Sequence, residues 1–178
     1  MSVAWTAPKA YGLEASTSAH MNTYLSANSL HLQERPCCIV FNSADQSSAV
    51  GWRTLTFNSE EVDTASMHST VSNTGRILLV EAGIYLCWAN VYLLNVGAAL
   101  IGISILHSED SAEPGGHALT AIHPYSSVIS PSRIVYTEAT DTYVTVRLYQ
   151  SAGATTNIVA AIADRLPYFG AVKLRDVI

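Results

Sequence analysis

Six histidines and fourteen acidic residues are the chain's raw material for chemistry, and metal binding is the first possibility they raise. His107, His117 and His123 stand ten and six positions apart, without a His-X-X-X-His pair or paired cysteines of zinc spacing. That pattern places the histidines in loops or on the surface rather than around an ion. Glu60, Glu61 and Asp63, and again Glu109, Asp110 and Glu113, offer the hard oxygens that calcium takes. Neither cluster has the central Gly and spacing of an EF-hand loop, so both read as solvated loop tips. Nucleophilic catalysis has less support: there is no Gly-X-Ser-X-Gly elbow, and no Ser or Cys has a neighbouring His and acid that suggest a triad. Pairing Glu60, Glu61 or Glu109 for glycoside cleavage asks for no more than any acidic loop supplies. No phosphate-cradling Gly loop occurs. The expectation is a protein that is not an enzyme and carries no metal or cofactor.

Bulk composition points the same way. The chain has 178 residues, 49 % apolar and only 13 % charged, which suits one substantial core and more covered surface than a lone monomer offers. Its net charge is -5 and its nine Lys and Arg are scattered, so no basic stripe exists to neutralise phosphates and nucleic acid is not expected as a partner. Cys37, Cys38 and Cys87 lack metal spacing and read as buried apolar strand residues. The opening MSVAWTAPKAYG does not fit a secretory pattern, and no Asn-X-Ser/Thr acceptor occurs, which suits folding in a reducing cytoplasm.

The elements that would position any site begin with the run EAGIYLCWANVYLLNVGAALIGISIL, Glu81 to Leu106. It has 25 uncharged residues after Glu81, enough to cross a bilayer as a helix. Asn90, Asn95 and Gly97 interrupt it, basic flanks are missing, and Asn95-Val96-Gly97-Ala98 reads as a turn between two strands, Gly83 to Leu94 and Leu100 to Leu106. Membrane insertion is therefore not expected. In the first strand Ile84, Leu86, Trp88, Asn90 and Tyr92 share one face, while Tyr85, Cys87, Ala89, Val91 and Leu93 share the other. Both faces are apolar. In Thr142 to Gln150, by contrast, Val144, Val146 and Leu148 form a dry side opposite Tyr143, Thr145, Arg147 and Tyr149. A hairpin apolar on both sides needs two covers, and the second is expected to be another copy of the chain.

Residues 1–36 differ in character from the rest of the chain. An extended WTAPKAYG precedes STSAHMNTYLSANSLHLQERP, in which Ser16, Thr17 or Ser18 can cap a helix that Pro36 stops. Met21, Leu25, Asn28 and Leu32 repeat as a short coiled-coil seam would, Asn28 being a polar residue able to fix register. About four turns are marginal alone, so this helix lies on its own domain, joins a bundle, or serves as a docking peg. From Cys37 onward CCIVFN, WRTLTFN, RILLVEAGIYLCWANVYLL, LIGISIL, HALTAIHPYSSVI, RIVYTEA, TYVTVRLYQSA, NIVAAIA and YFGAVKL read as strands. SADQSSAVG, SEEVDTASMHSTVSNTG and HSEDSAEPGG read as turn-rich links. Many short strands at such spacing imply an all-β sandwich or jelly roll over 37–178.

Four stretches resemble the globular head of complement component 1q and its tumour-necrosis-factor-like relatives. They are LTFNSEEVDTASMHS, EAGIYLCWANV, DTYVTVRLYQSAG and PYFGAVKL, in the family's order over roughly 140 residues. Thr140-Asp141 departs from the Gly-Asp common in the family, and no Gly-X-Y stalk is present. WTAP and MNTYLSANSLHLQERP resemble the leader of small tailed-bacteriophage virion proteins, whose Asn-Thr-X-Leu helix ends at Arg-Pro before a head of this type.

The resemblance implies a ten-stranded jelly roll behind a short N-terminal helix, a homotrimer packed by inner sheets, and a place on the outside of a phage particle. Tyr85, Trp88, Tyr92, Tyr143, Tyr149, Tyr168 and Phe169 are the aromatics expected near the axis or core. Trp5, Pro8, Met21, Tyr24, Leu25, Asn28 and Leu32 are expected to anchor the chain to other virion proteins of capsid or tail. The role implied is a non-enzymatic structural knob, a capsid decoration, head fibre or short tail-attached fibre. The rival is a receptor-binding knob whose loops SEEVDTASMHSTVSN, HSEDSAEPGG and HPYSSVISPSR grip a host surface glycan. A secreted cellular relative of the complement head ranks below both.

Overall fold

The computed structural model describes residues 35–94, 101–110, 117–120, 126–138, 140–151, 156–158 and 166–176, together with Asn22, Leu25, Ser26 and Ser29. Among these residues there are thirteen strands: β1 Cys37–Phe41, β2 Gln46–Ser48, β3 Gly51–Thr54, β4 Ser59–Asp63, β5 Arg76–Leu79, β6 Gly83–Leu94, β7 Ile101–His107, β8 His117–Thr120, β9 Ser126–Ile129, β10 Ser132–Thr137, β11 Thr142–Gln150, β12 Thr156–Ile158 and β13 Tyr168–Arg175. They form one sheet of eight strands and one of five, an all-β sandwich with jelly-roll topology.

The first sheet is organised by β6, the longest strand at twelve residues. One edge pairs with β13 and then β12, the other with β10 and then β9, so its ladder is filled on both sides. Beyond β13 come β1 and then β4, and beyond β12 comes β2. The break between β9 and β10 falls at Ser130-Pro131, where the proline has no N–H for the ladder and its carbonyl accepts from the Ala89 N–H at 3.0 Å. The second sheet is organised by β11: β7 pairs along one edge and β5 and β3 along the other, with β8 outside β7.

The core lies between the sheets. Tyr85, Cys87, Ala89, Val91 and Leu93 of β6 face Ile101, Ile103 and Ile105 of β7 and Val144, Val146 and Leu148 of β11, all buried. Burying one such side chain is worth about 1.5–3 kcal/mol, so alternate apolar positions on two facing sheets suffice to hold the sandwich. The dry side expected of β11 is confirmed by the burial of Val144, Val146 and Leu148.

Two expectations are corrected. The apolar run of 81–106 is indeed two strands, but β6 and β7 are not a hairpin: they belong to opposite sheets, and the expected turn at Asn95-Val96-Gly97-Ala98 lies outside the described residues. One face of β6 is therefore roofed by its own chain. SADQSSAVG and SEEVDTASMHSTVSNTG are not wholly links, since each contains a strand, β2 and β4. No helix among the described residues is long and apolar enough to cross a membrane.

Asn22, Leu25, Ser26 and Ser29 have helical backbone and exposed side chains, Leu25 at 63 %. The anchor residues Trp5, Pro8, Met21, Tyr24, Asn28 and Leu32 lie outside the described residues. The described chain resumes at Arg35, whose guanidinium donates to the Leu174 carbonyl at 2.5 Å, while the Pro36 carbonyl accepts from the Lys173 N–H at 2.9 Å. Lys173 is buried and its ammonium is shared by Glu81 at 2.7 Å and Asp176 at 2.5 Å. Burial alone would lower its pKa, but the hydrogen bonds to Asp176 and Glu81 hold it above the ordinary lysine value.

Candidate functional site

The residues with chemical potential are absorbed by the fold. Asp63 ends β4 and its carboxylate accepts from three backbone N–H groups, Ala65 at 3.2 Å, Met67 at 2.9 Å and His68 at 3.0 Å, fixing the turn after the strand. Glu60 sits 2.9 Å from Nδ1 of His68, whose Nε2 lies 3.1 Å from the Thr74 carbonyl. Asp110 holds the backbone N–H of His107 and forms a two-pronged ion pair with Arg133. The Arg133 hydrogen bond keeps the Asp110 carboxyl below the usual carboxylate range, and Asp110 in turn raises Arg133. Glu60, Glu61 and Asp63 are thus strand residues rather than loop tips. His68 lies in the loop after β4, as expected of a loop histidine, but is buried there, and His107 is a buried residue at the end of β7. Among the described residues no group of three His, Cys, Asp or Glu is placed to hold a metal.

The cysteines are free thiols. Cys38 and Cys87 are fully buried on the inner face, and each pairs across the ladder with Ala171 between them. Burial pushes the Cys87 thiol up to about 12 and raises Cys38 as well. Neither resembles an activated nucleophile.

Among the described residues, the face left without a cover is the outer face of the first sheet. Strand register sets its side chains in rows across β1, β13, β6 and β10: Cys37–Val172–Leu86–Ile134, then Ile39–Gly170–Trp88–Ser132, then Phe41–Tyr168–Asn90. No residue of these rows is charged. Ile39, Phe41, Leu86, Trp88, Tyr168 and Val172 are half-buried, and Ile134 is 66 % exposed. Ile84 and Tyr136 extend the patch, Tyr136 at 50 % exposure, and Val128 of β9 is 55 % exposed. The Phe41 and Tyr168 rings approach to 6.0 Å. A contiguous apolar face of this kind is unusual on the surface of a lone chain.

The structure divides the expected aromatic set into three places. Tyr85 and Phe169 are fully buried core residues; the Tyr85 hydroxyl donates to the Glu81 carbonyl at 2.9 Å, and the Phe169 ring meets Phe57 at 5.5 Å. Tyr92 is also buried, at 6 % exposure, although its position in the alternation places it with Trp88. Trp88 and Tyr168 lie on the open face of the first sheet. Tyr143 and Tyr149 do not join them: they project from the outside of the second sheet, where Arg76 lies 4.2 Å from the Tyr143 ring centre and Trp52 packs 5.1 Å from Tyr149. Alternation along β11 puts them opposite the core. The open face also draws on Ile39, Phe41, Val172, Ile134 and Tyr136, which the sequence reading passed over. Their signal was the one used for β6, a strand apolar at both parities, and RIVYT carries it too.

Solved structures share this arrangement. The globular domain of zebrafish complement 1qA superposes with a TM-score of 0.57 at 16 % identity, over 81 % of this chain and 100 % of that one. The fold is a jelly roll of the kind that complement domain has. Murine APRIL at pH 5.0 gives a TM-score of 0.58 at 10 % identity over 79 % of this chain and 99 % of that one, and at pH 8.0 a TM-score of 0.53 at 12 % over the same shares. At such identities the likeness is one of fold. No protein-family model matches the chain, and no curated protein matches it.

Proposed function

We propose that the protein is a non-enzymatic, self-associating knob, a homotrimer whose subunits meet through the open face of the first sheet. The observation that carries this reading is the set of uncharged rows centred on Trp88 and Leu86, half-buried in one chain and in need of a cover that the chain's own described residues do not supply. Like surfaces from three copies meeting around an axis would complete that burial. An interface of a few thousand Å² at about 25 cal/mol per Å² of apolar surface outweighs the cost of association. Light scattering on the purified protein tests it: about three times 19.1 kDa is expected, and a stable 19.1 kDa species at micromolar concentration overturns it.

The proposal places the trimer on the exterior of a tailed-phage particle, made and folded in the host cytoplasm and mounted on capsid or tail by its first 36 residues. This part is carried by WTAP and MNTYLSANSLHLQERP, and by the exposed Leu25 at the described portion of that segment. A cryo-EM map of the particle that locates this chain tests it; absence of the chain from purified particles overturns it.

A second reading, a knob that binds a host surface glycan, is favoured by a depression on the second sheet. It is lined by Asn73 of the loop SEEVDTASMHSTVSN and by Ser108 and Asp110 of HSEDSAEPGG.

A further inference from the structure

The depression has a volume of about 480 Å³, within the range that holds a small ligand, and opens on the outer face of the five-stranded sheet. Its floor is Thr145 and Arg147 of β11, flanked by Arg76 of β5 and Thr54 of β3. Arg76 pairs across the ladder with Thr145, and Thr54 with Arg147, so the two arginines are diagonal neighbours on one face. Among the described residues no carboxylate pairs with either guanidinium. Each is instead positioned by a ring: Arg76 lies 4.2 Å from the centre of Tyr143, and Arg147 5.4 Å from that of Trp52. A ring occupies the face of a guanidinium and leaves its in-plane N–H fork free to donate.

Three further observations fix the chemistry. The one acid in the lining, Asp110, is already neutralised by Arg133, so the depression is positive in a chain of net charge -5. Two like charges held side by side without a counter-ion favour an arriving anion. Nε of Arg147, on the floor of the depression, is buried without a hydrogen-bond partner. Buried polar atoms left unpaired in a native fold ask for a ligand or solvent. The lining is otherwise rich in hydroxyls, from Thr54, Thr56, Thr74, Ser108 and Thr145, which suit a partner with several hydroxyls of its own.

We infer that this depression binds a carboxylate-bearing sugar, the acid group received by the Arg76 and Arg147 forks and the ring hydroxyls by the threonines and Ser108. The inference rests on the glycan-binding reading and supplies its ligand class and its site; it does not depend on the apolar face.

Titration calorimetry of the full chain with sialyllactose, trigalacturonate, lactose and sodium sulfate is the test. Saturable binding of at least one acid saccharide is expected, with lactose and sulfate each weaker by roughly tenfold or more. Arg76→Gln and Arg147→Gln should each lose about tenfold, and Arg147→Lys most of that, because an ammonium cannot fork; melting temperature and molar mass should not change. If a variant does not fold, amide shifts of the wild-type protein on adding the acid saccharide should centre on Thr54, Gly75, Arg76 and Thr145. The inference is overturned if neither acid saccharide binds, if lactose or sulfate binds as tightly, or if folded variants bind as wild type does. A neutral sugar bound away from Arg76 and Arg147 overturns it while leaving the glycan-binding reading intact, whereas failure of every saccharide, with no adhesion to cells, removes both.

Discussion

Trp88 of β6 packs over Gly170 of β13 so closely that a Cβ at position 170 would fall 2.5 Å from its Cε2 and closer still to its Cζ2. The two residues are ladder partners, and the indole fills the space that a side chain on the neighbouring strand would take. The glycine therefore sets the height of the tryptophan on the open face. Gly170→Ala should push the ring outward at a cost of about 1–3 kcal/mol, seen as a melting temperature lower by roughly 3–9 °C and a weaker assembly. Unchanged melting and unchanged molar mass would contradict that geometry.

Charge on the open face should separate the copies without unfolding them. Leu86→Asp puts a carboxylate in the middle of an apolar row and Ile134→Asp puts one at its exposed end. A shift to a 19.1 kDa species with wild-type circular dichroism is expected. Val71→Asp, at a site 91 % exposed and outside the rows, should leave the mass unchanged. Retention of the trimer in both row variants would place the interface elsewhere. Tyr92 is not a usable probe of this face, because its burial within the single chain would confound dissociation with misfolding.

The Asp110–Arg133 pair gives the acid limb of stability a definite sign. Asp110 has its pKa depressed below the ordinary 3.8 by Arg133, so its contribution is complete above that value and is lost as pH falls through the lower native pKa. Asp110→Asn should therefore destabilise by about 1–2 kcal/mol at pH 7, and the gap to wild type should close below pH 3.8. Denaturant unfolding at pH 7 and pH 3 measures it. A gap that widens in acid would refute the assignment.

Cys87, with its thiol pushed up to about 12, and the equally buried Cys38 should resist iodoacetamide at pH 8 in the native protein and react once it is unfolded. A thiol with that pKa is about one part in ten thousand thiolate at pH 8. Mass spectrometry of the alkylated peptides reads the outcome. Fast native labelling of Cys87 would mean that the sandwich opens near β6.

How far the sequence was legible depends on what each strand owes to its own residues. β1, β6, β7, β10, β11 and β13 are dense in Ile, Val, Leu and aromatics, and could be read directly. β2 and β4, QSS and SEEVD, have no such density; they are strands because β12 and β1 present open ladders to them. Glu60 and Glu61 stand exposed at that edge, where charge discourages further pairing. The sidedness of β6 was legible, since two apolar parities need two covers, but the partner of each was not. Two apolar strands close in sequence look like a hairpin, and only the closure of the sandwich sends Ile101, Ile103 and Ile105 to the opposite layer. The arginine-lined depression was harder still. It needs Arg76 and Arg147, 71 positions apart, to become diagonal neighbours, and no local spacing encodes that.

The place of β13 has a consequence for how the protein is made. This strand, the last described in chain order, is inserted between β1, the first, and β6. While the chain is still emerging from the ribosome, Ile39 and Trp88 have no Gly170 between them, and the surface proposed to join the copies is incomplete. On the proposed trimer, nascent subunits would be kept from engaging one another until translation has delivered the strand that seats between the oldest and the longest parts of the sheet.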